Sequence, residues 1–215
     1  MKIWDDMKKI MFNDRYGLTQ AVLVGHKTMT RRNELIQPRH VDTPNIKCDE
    51  KGREELMIAM ARYHVGEIVA VAQSYKDAGY ECIPYRDTDE YLWLRRDGKV
   101  VNGVSITPVC ETNKMFTRAD LMPHLIQITG IRIERLQDIS DEDCVREGIR
   151  YVQDLDLYYF ERMDRDEGFY FNTPREAFAA LIDRVSGRGT WDRNPYVVVY
   201  EFELVKKRYS RKTSE

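Results

Sequence analysis

The chain has 215 residues, of which 42% are hydrophobic and 33% are charged, and its formal net charge is −2 at neutral pH. This composition excludes a wholly disordered chain and an integral membrane protein, and the near balance of charges excludes a globally basic nucleic-acid coat. No apolar run approaches the roughly 20 residues of a membrane helix, and the first residues lack the apolar stretch of a secretory signal. We therefore expect a cytoplasmic protein with one folded domain over residues 1–205 and a basic tail over 206–215.

Local patterns predict a helix, a loop and a strand in the first third of the chain. Residues 16–24 place apolar side chains at helical spacing and Gly25 follows them, which predicts a short helix ended by a glycine. The stretch 33–53 has two prolines and little periodicity, which predicts a connecting loop. Residues 67–74 are rich in β-branched side chains and alternate, which predicts a strand.

The middle of the chain is predicted to hold an insertion followed by a long strand. The insertion, at about 76–120, contains one hairpin, because strand-like pieces at 90–95 and 99–104 flank the turn Asp97-Gly98. Residues 124–136 then alternate apolar and polar side chains, which predicts a long strand.

The last third is predicted to contain two helices, a second insertion and a final strand. Ser140 precedes several acidic residues, so residues 141–147 are predicted to form a short helix with an N-cap. Residues 151–172 are aromatic and charged, which predicts an insertion on the surface. A further helix is expected to begin near Pro174, and the β-rich stretch 195–205 is expected to form the last strand.

Charged and aromatic residues are distributed unevenly along the chain. The segment 25–40 and the tail 206–215 are basic, whereas 138–147 is acidic. This distribution permits a local basic cleft, with the tail as either a solvated end or a second nucleic-acid contact. The aromatic stretch 158–171 either stacks on nucleobases or packs its own rings against the domain, and packing is favoured.

Cysteines and histidines carry no metal or disulfide signature. The four cysteines are far apart in the sequence and form no C-x-x-C pair, and the four histidines are isolated from one another. We therefore expect reduced thiols, no metal and no cofactor.

Four segments, in order and at matching spacing, resemble the ASCH domain family: residues 25–32, 65–67, 136–148 and 191–197. The first, Gly25-His26-Lys27-Thr28-Met29-Thr30-Arg31-Arg32, resembles the family signature G-x-K-x-x-T-x-R. ASCH domains are linked to RNA metabolism, and the chain looks like their longer members, which are often found in phages and prophages. The resemblance implies an α+β fold: a PUA-like small mixed β-barrel with a few flanking helices and the two insertions.

The resemblance also implies a set of site residues. Some ASCH proteins hydrolyse the amide of N4-acetylcytidine with a lysine, a threonine and a glutamate, which correspond here to Lys27, Thr30 and Glu147. The further candidate residues for binding the ligand are Gly25, Arg31, Arg32, Gln73 and Tyr75. Many longer relatives have glutamate and tryptophan at the positions that hold Gln73 and Tyr75 here. If that carboxylate takes part in the chemistry, its loss favours binding over catalysis.

Amide hydrolysis would use Thr30 as nucleophile, Lys27 as base and Glu147 as acid. A free lysine has a pKa of about 10.4 and is protonated at neutral pH, so Lys27 needs burial or nearby cations to act as a base. Glu147 could protonate the leaving amine, or it could pair with Lys27 and hold the lysine charged. The residues alone leave both arrangements open.

We expect the segment 25–32 to form a basic cleft facing the acidic helix at 141–147, with Lys27, Thr30 and Glu147 close together. The partners expected are RNA, a modified nucleoside or modified DNA, without a membrane, and no protein partner is inferable. The sharpest functional hypothesis is hydrolysis of an N4-acylcytosine amide. The alternatives are a non-catalytic RNA or modified-DNA binding module and a ribonuclease.

Overall fold

The computed structural model describes residues 7–33, 55, 57–85 and 88–205 of the chain. These residues form two compact units: the first comprises residues 7–12, 68–85, 88–126 and 205, and the second comprises 13–33, 55, 57–67 and 127–204. Both contain sheets and a few short helices, so the expected α+β class is confirmed. In the part of the chain described, no helix has both the length and the apolar character needed to cross a membrane.

Eleven strands and five helices are described, in addition to 3₁₀ turns at Lys114–Phe116, Ala119–Leu121 and Leu136–Asp138. In chain order they are β1 (Lys9–Ile10), α1 (Leu18–Leu23), β2 (Met29–Arg32), β3 (Ile68–Val71), β4 (Glu81–Tyr85), β5 (Thr88–Arg96), β6 (Lys99–Ile106), α2 (Val109–Thr112), β7 (Leu125–Arg135), α3 (Asp141–Arg146), β8 (Arg150–Val152), β9 (Leu157–Arg162), β10 (Glu167–Phe171), α4 (Pro174–Ser186), α5 (Thr190–Arg193) and β11 (Tyr196–Val205).

The first unit contains a parallel strand pair and an antiparallel sheet. Strand β1 pairs in parallel with β3, and β4, β5 and β6 form a three-stranded sheet in that order. Strands β5 and β6 are the hairpin predicted around Asp97-Gly98, where both turn residues adopt the positive φ angles that a tight hairpin requires. Tyr75, Leu94 and Met122 lie in the hydrophobic core of this unit.

The second unit is organised around β2, β11 and β7. Strand β11 pairs antiparallel with β2, with Thr30 opposite Tyr200. It also neighbours β7, and the N–H of Leu136 donates to the carbonyl of Pro195 at 2.9 Å where that pairing ends. Helix α4 begins at a capping box in which the Thr173 hydroxyl and the Glu176 side chain exchange hydrogen bonds with each other's backbone.

The predicted second insertion is the antiparallel sheet β10-β9-β8 of the second unit. Its aromatic side chains divide between two faces because strand residues alternate. Phe160 is buried and stacks against Phe169 at a centroid distance of 5.0 Å. Tyr170 is 52% exposed and stacks on Tyr159. The favoured prediction of internal packing therefore describes Phe160 and the rings stacked on it, whereas Tyr170 on the outer face and Tyr151 at the edge strand β8 are exposed to solvent.

Most elements lie where the sequence predicts them. The helices at 141–147 and from Pro174 are confirmed, whereas the strand predicted at 67–74 is shorter and strand β4 was not predicted. Residues 34–53 of the predicted loop and the basic tail 206–215 lie outside the described residues. Within each unit the described strands form open sheets that do not close into a barrel.

Candidate functional site

Lys27 follows a tight reversal of the chain after α1. Gly25 has φ +80°, a left-handed conformation that favours glycine. The N–H groups of His26 and Lys27 both donate to the carbonyl of Ala21, at 2.9 and 3.0 Å. This turn leads the chain into β2 and directs the lysine inward, so that Lys27 is only 2% exposed.

Glu147 lies at the end of α3, which begins at its predicted cap. The Ser140 side chain accepts a hydrogen bond from the N–H of Asp143. Gly148 follows the helix with φ +110°, and a Cβ atom at this position would lie 3.3 Å from Cδ2 of Leu18. Glycine therefore permits both the backbone turn and the close packing that leave Glu147 only 4% exposed.

Lys27 and Glu147 meet although they are far apart in the sequence. Lys27 Nζ lies 2.6 Å from Glu147 Oε2 and donates a second hydrogen bond to the backbone carbonyl of Glu147 at 2.7 Å. Burial lowers the pKa of Lys27 below its usual 10.5, and the charges of Arg32 and Arg31 add to this effect, although Glu147 opposes it. Of the three residues expected to converge, Lys27 and Glu147 are observed to meet.

Arg31 is surrounded by three carboxylates. Its Nη1 lies 3.2 Å from Glu147 Oε1, and its Nη2 lies 2.6 Å from Glu134 Oε1 and 2.8 Å from Asp143 Oδ2. The residue is 6% exposed. Burial opposes its charge, but the carboxylates of Glu147 and Glu134 outweigh burial and raise the pKa of Arg31. Its guanidinium is therefore engaged inside the protein and is not displayed toward a phosphate.

Further ion pairs extend this arrangement toward the surface. Arg132 contacts Glu134, Asp143 and Glu201, and Arg146 contacts Asp143 and Glu201. We call the following eight residues the charge cluster: Lys27, Arg31, Arg132, Arg146, Glu134, Asp143, Glu147 and Glu201. Four cations and four carboxylates balance one another formally. The acidic helix does face residues 25–32, but Lys27 and Arg31 do not line an open basic cleft.

Thr30 lies on the other face of β2. Because side chains alternate along a strand, Thr30 points away from the face that carries Met29 and Arg31. Its cross-strand partner is Tyr200, whose hydroxyl accepts a hydrogen bond from the N–H of Arg62 at 3.1 Å. The structure therefore brings Lys27, Arg31 and Glu147 together and leaves the Thr30 hydroxyl on the opposite side of the strand, so Thr30 does not join Lys27 and Glu147 as expected.

Arg32, by the same alternation, shares the face of Thr30 and is half-buried. Arg31 and Arg32 are adjacent in β2 and lie opposite Val199 and Val198 of β11, so their side chains point to opposite sides of the strand. Which of the two reaches a ligand stays a prediction.

The remaining candidate binding residues are Gly25, Gln73 and Tyr75, and each has a structural role in its own part of the fold. Gly25 forms the exposed reversal after α1. Gln73 and Tyr75 belong to the first unit. Gln73 Oε1 lies 2.7 Å from Nδ1 of His124, and the buried Tyr75 accepts a hydrogen bond through its hydroxyl from the N–H of Arg118 at 3.0 Å.

Sequence reasoning missed five members of the charge cluster as site residues: Arg132, Arg146, Glu134, Asp143 and Glu201. The alternation of apolar and polar side chains in 124–136 indicated that Arg132 and Glu134 share one face of a strand. No local pattern indicated which residues that face would meet. Beside the cluster, burial raises the pKa of the Cys144 thiol to about 12, so this cysteine is a poor nucleophile.

Comparison with known proteins adds no relative: no protein-family model, no curated protein and no solved structure matches the chain. The residues that the structure describes also contain no group of His, Cys, Asp and Glu side chains placed to hold a metal ion.

Proposed function

We propose that this chain is an ASCH-type, PUA-like protein of the cytoplasm that binds RNA, modified DNA or a modified nucleoside and hydrolyses an N4-acylcytosine amide. The observation that supports this proposal best is the contact between Lys27 and Glu147. Two ionisable side chains distant in the sequence lie 2.6 Å apart and almost fully buried, and the pKa of the lysine is lowered. Perturbed, paired ionisable groups are enriched at functional sites.

The pair can hold one proton in two ways. With the proton on Lys27, the pair consists of an ammonium and a carboxylate. With the proton on Glu147, it consists of an amine that can accept a proton and a carboxylic acid that can donate one. Burial disfavours the two separated charges, and this lowers the free-energy difference between the two forms. Amide hydrolysis needs the second form.

In the proposed reaction a hydroxyl oxygen attacks the amide carbonyl and its proton passes to the Lys27 amine. The C–N bond then breaks, and the departing cytosine amine takes the proton of Glu147. If the hydroxyl belongs to Thr30, an ester remains and water hydrolyses it in a second step. Since Thr30 lies on the far face of β2, a water molecule that attacks directly is the alternative nucleophile.

The proposal is tested by incubating the protein with N4-acetylcytidine, longer N4-acylcytidines and single-stranded RNA, followed by mass-spectrometric analysis of products. Lys27→Met and Glu147→Gln should abolish release of cytidine and carboxylate. Glu203→Gln, at an exposed position of β11, serves as the matched control and should retain activity. Release of cytidine at an undiminished rate by Lys27→Met would contradict the proposed pair.

Thr30→Ala separates the two nucleophiles. If Thr30 attacks, the variant should lose turnover but retain binding, since a nucleophile acts on the barrier more than on the bound ground state. If water attacks, Thr30→Ala should retain turnover.

A non-catalytic binding module is the second candidate, and it is favoured by the closure of the site. Lys27 and Glu147 are buried and bound to each other, so neither side chain is open to a substrate amide. Binding of acylated nucleosides or RNA without release of any product would decide for this candidate.

A further inference from the structure

The Glu147 carboxylate is shared between two cations. Its Oε2 lies 2.6 Å from Lys27 Nζ, and its Oε1 lies 3.2 Å from Arg31 Nη1. All three side chains are nearly inaccessible, with exposures of 1% for Lys27, 1% for Arg31 and 5% for Glu147. Each carboxylate oxygen therefore has its own cationic donor, and neither donor is exposed to solvent.

Arg31 is itself held from two further directions. Its Nε and Nη2 bind Glu134 on β7, and its Nη2 also contacts Asp143 on α3. A guanidinium is planar and stays protonated in proteins, so these contacts fix both its orientation and its charge. The group that faces Glu147 Oε1 is therefore a rigid and permanent cation.

We infer that Arg31 is a positioning residue for the Lys27–Glu147 pair: it holds one oxygen of the Glu147 carboxylate so that the other faces Lys27, and its fixed charge sets how the pair shares its proton. This role differs from the phosphate contact that the basic sequence around Arg31 suggested. The catalytic consequence rests on the proposed function, whereas the positioning itself does not.

The sign of the effect follows from the charged and titratable groups that face the pair. Arg31 contacts Glu147 directly, and Glu134 on β7 and Asp143 on α3 contact Arg31. Arg32, on the opposite face of β2, and Cys144 on α3 act on the pair through their charges. Removing the positive charge of Arg31 makes a proton on either member of the pair more favourable. Both macroscopic titration midpoints of the pair should therefore move to higher pH.

The test is an NMR titration of the full chain that follows the Lys27 ¹⁵Nζ and Glu147 ¹³C carboxyl resonances in wild type, Arg31→Met and Arg132→Met. Arg132 is the matched control, because it shares Glu134 and Asp143 with Arg31 but makes no ion pair with Glu147. We expect Arg31→Met to raise both midpoints by about 1 pH unit or more, and Arg132→Met to change them much less. Unchanged midpoints in Arg31→Met, or equal shifts in both variants, would overturn the inference.

Arg31→Met removes a buried cation and leaves carboxylates behind, so folding needs its own control. The double variant Arg31→Met/Glu134→Gln removes one charge of each sign, and it should still show an upward shift in a folded protein because Arg31 contacts Glu147 directly. The shift should be smaller than in Arg31→Met, since the loss of the Glu134 charge acts in the opposite direction. Arg31→Lys keeps the charge on a shorter arm, so midpoints closer to wild type are expected. A double variant with wild-type midpoints would also overturn the inference.

The pH dependence of turnover distinguishes this inference from the proposed function. If the wild-type chain hydrolyses N4-acetylcytidine, the acidic limb of kcat/KM should move to higher pH in Arg31→Met, since Lys27 loses its proton less readily. An unmoved limb contradicts the catalytic consequence. If the wild type releases no product, the proposed function fails, and the NMR titration still decides whether Arg31 positions Glu147.

Discussion

The two faces of strand β2 differ in chemistry although their residues are adjacent in the sequence. On one face Arg31 lies beneath α3 and, with Lys27 just before the strand, contacts buried carboxylates. On the other face Thr30 lies opposite Tyr200, and a half-buried Arg32 follows. One short polar segment therefore serves two separate environments, because the side chains of successive strand residues point to opposite sides.

We call the face of β2 that carries Arg31 the charged face. The largest expected effect comes from removing the Glu147 carboxylate, which contacts Arg31 on this face. Glu147→Gln leaves the charge of Lys27 buried with a neutral partner, which costs about 3–5 kcal/mol of unfolding free energy. The loss cannot exceed about 4.6 kcal/mol at neutral pH. This is the free energy of deprotonating a lysine whose pKa is about 10.4, and Lys27 can lose its proton instead of staying charged. Denaturant unfolding measures the difference.

Glu81→Gln is the matched control for this prediction. Glu81 pairs with Arg95 on the exposed sheet of the first unit, where water screens both charges. This substitution should change unfolding little. Equal losses in the two variants would contradict the claim that burial makes the charged face of β2 costly to disturb.

A smaller effect is expected in nucleic-acid binding, and it distinguishes the two faces. Arg32→Ala should reduce the salt dependence of single-stranded RNA binding by a slope of about 0.7, the value for one lost phosphate contact. Arg31→Ala should leave the slope unchanged, since its guanidinium is bound to carboxylates. Both variants are titrated with single-stranded RNA at several salt concentrations, after circular dichroism has shown that each variant is folded. A reduced slope in Arg31→Ala but not in Arg32→Ala would mean that the face of β2 with Arg31, and not the face with Arg32, contacts the nucleic acid.

The smallest expected effect is a pH dependence of stability. Burial lowers the pKa of Lys27 in the folded chain below 10.5, so between the two pKa values the unfolded chain binds more protons. The unfolding free energy of wild type should therefore rise, relative to Lys27→Met, as the pH increases through this window. A relative decrease would mean that pairing with Glu147 outweighs burial and raises the lysine pKa.

Elements with local signals could be predicted from the sequence. Ser140 and the acidic residues after it predicted α3, because a cap and the helix dipole act within one turn. The turn Asp97-Gly98 predicted the β5–β6 hairpin for the same reason. In contrast, β4 has no alternation that would separate it from a loop, since its five residues include Pro84.

The composition of the site was only partly predictable. The contact between Lys27 and Glu147 was expected from the resemblance to ASCH domains and not from any pattern in the residues. The three carboxylates around Arg31 lie more than 100 residues further along the chain. Such partners depend on how β7 and α3 pack on β2, and a local sequence window carries no information on that packing.

A double-mutant cycle between Lys27 and Glu147 tests the central claim most directly, because it measures their interaction without assuming an activity. Unfolding free energies are measured for wild type, Lys27→Met, Glu147→Gln and the double variant. The account predicts a coupling of at least about 1 kcal/mol, with the double variant losing less than the two single losses combined. Losses that add within about 0.5 kcal/mol would show that the two side chains act independently and would contradict the paired site.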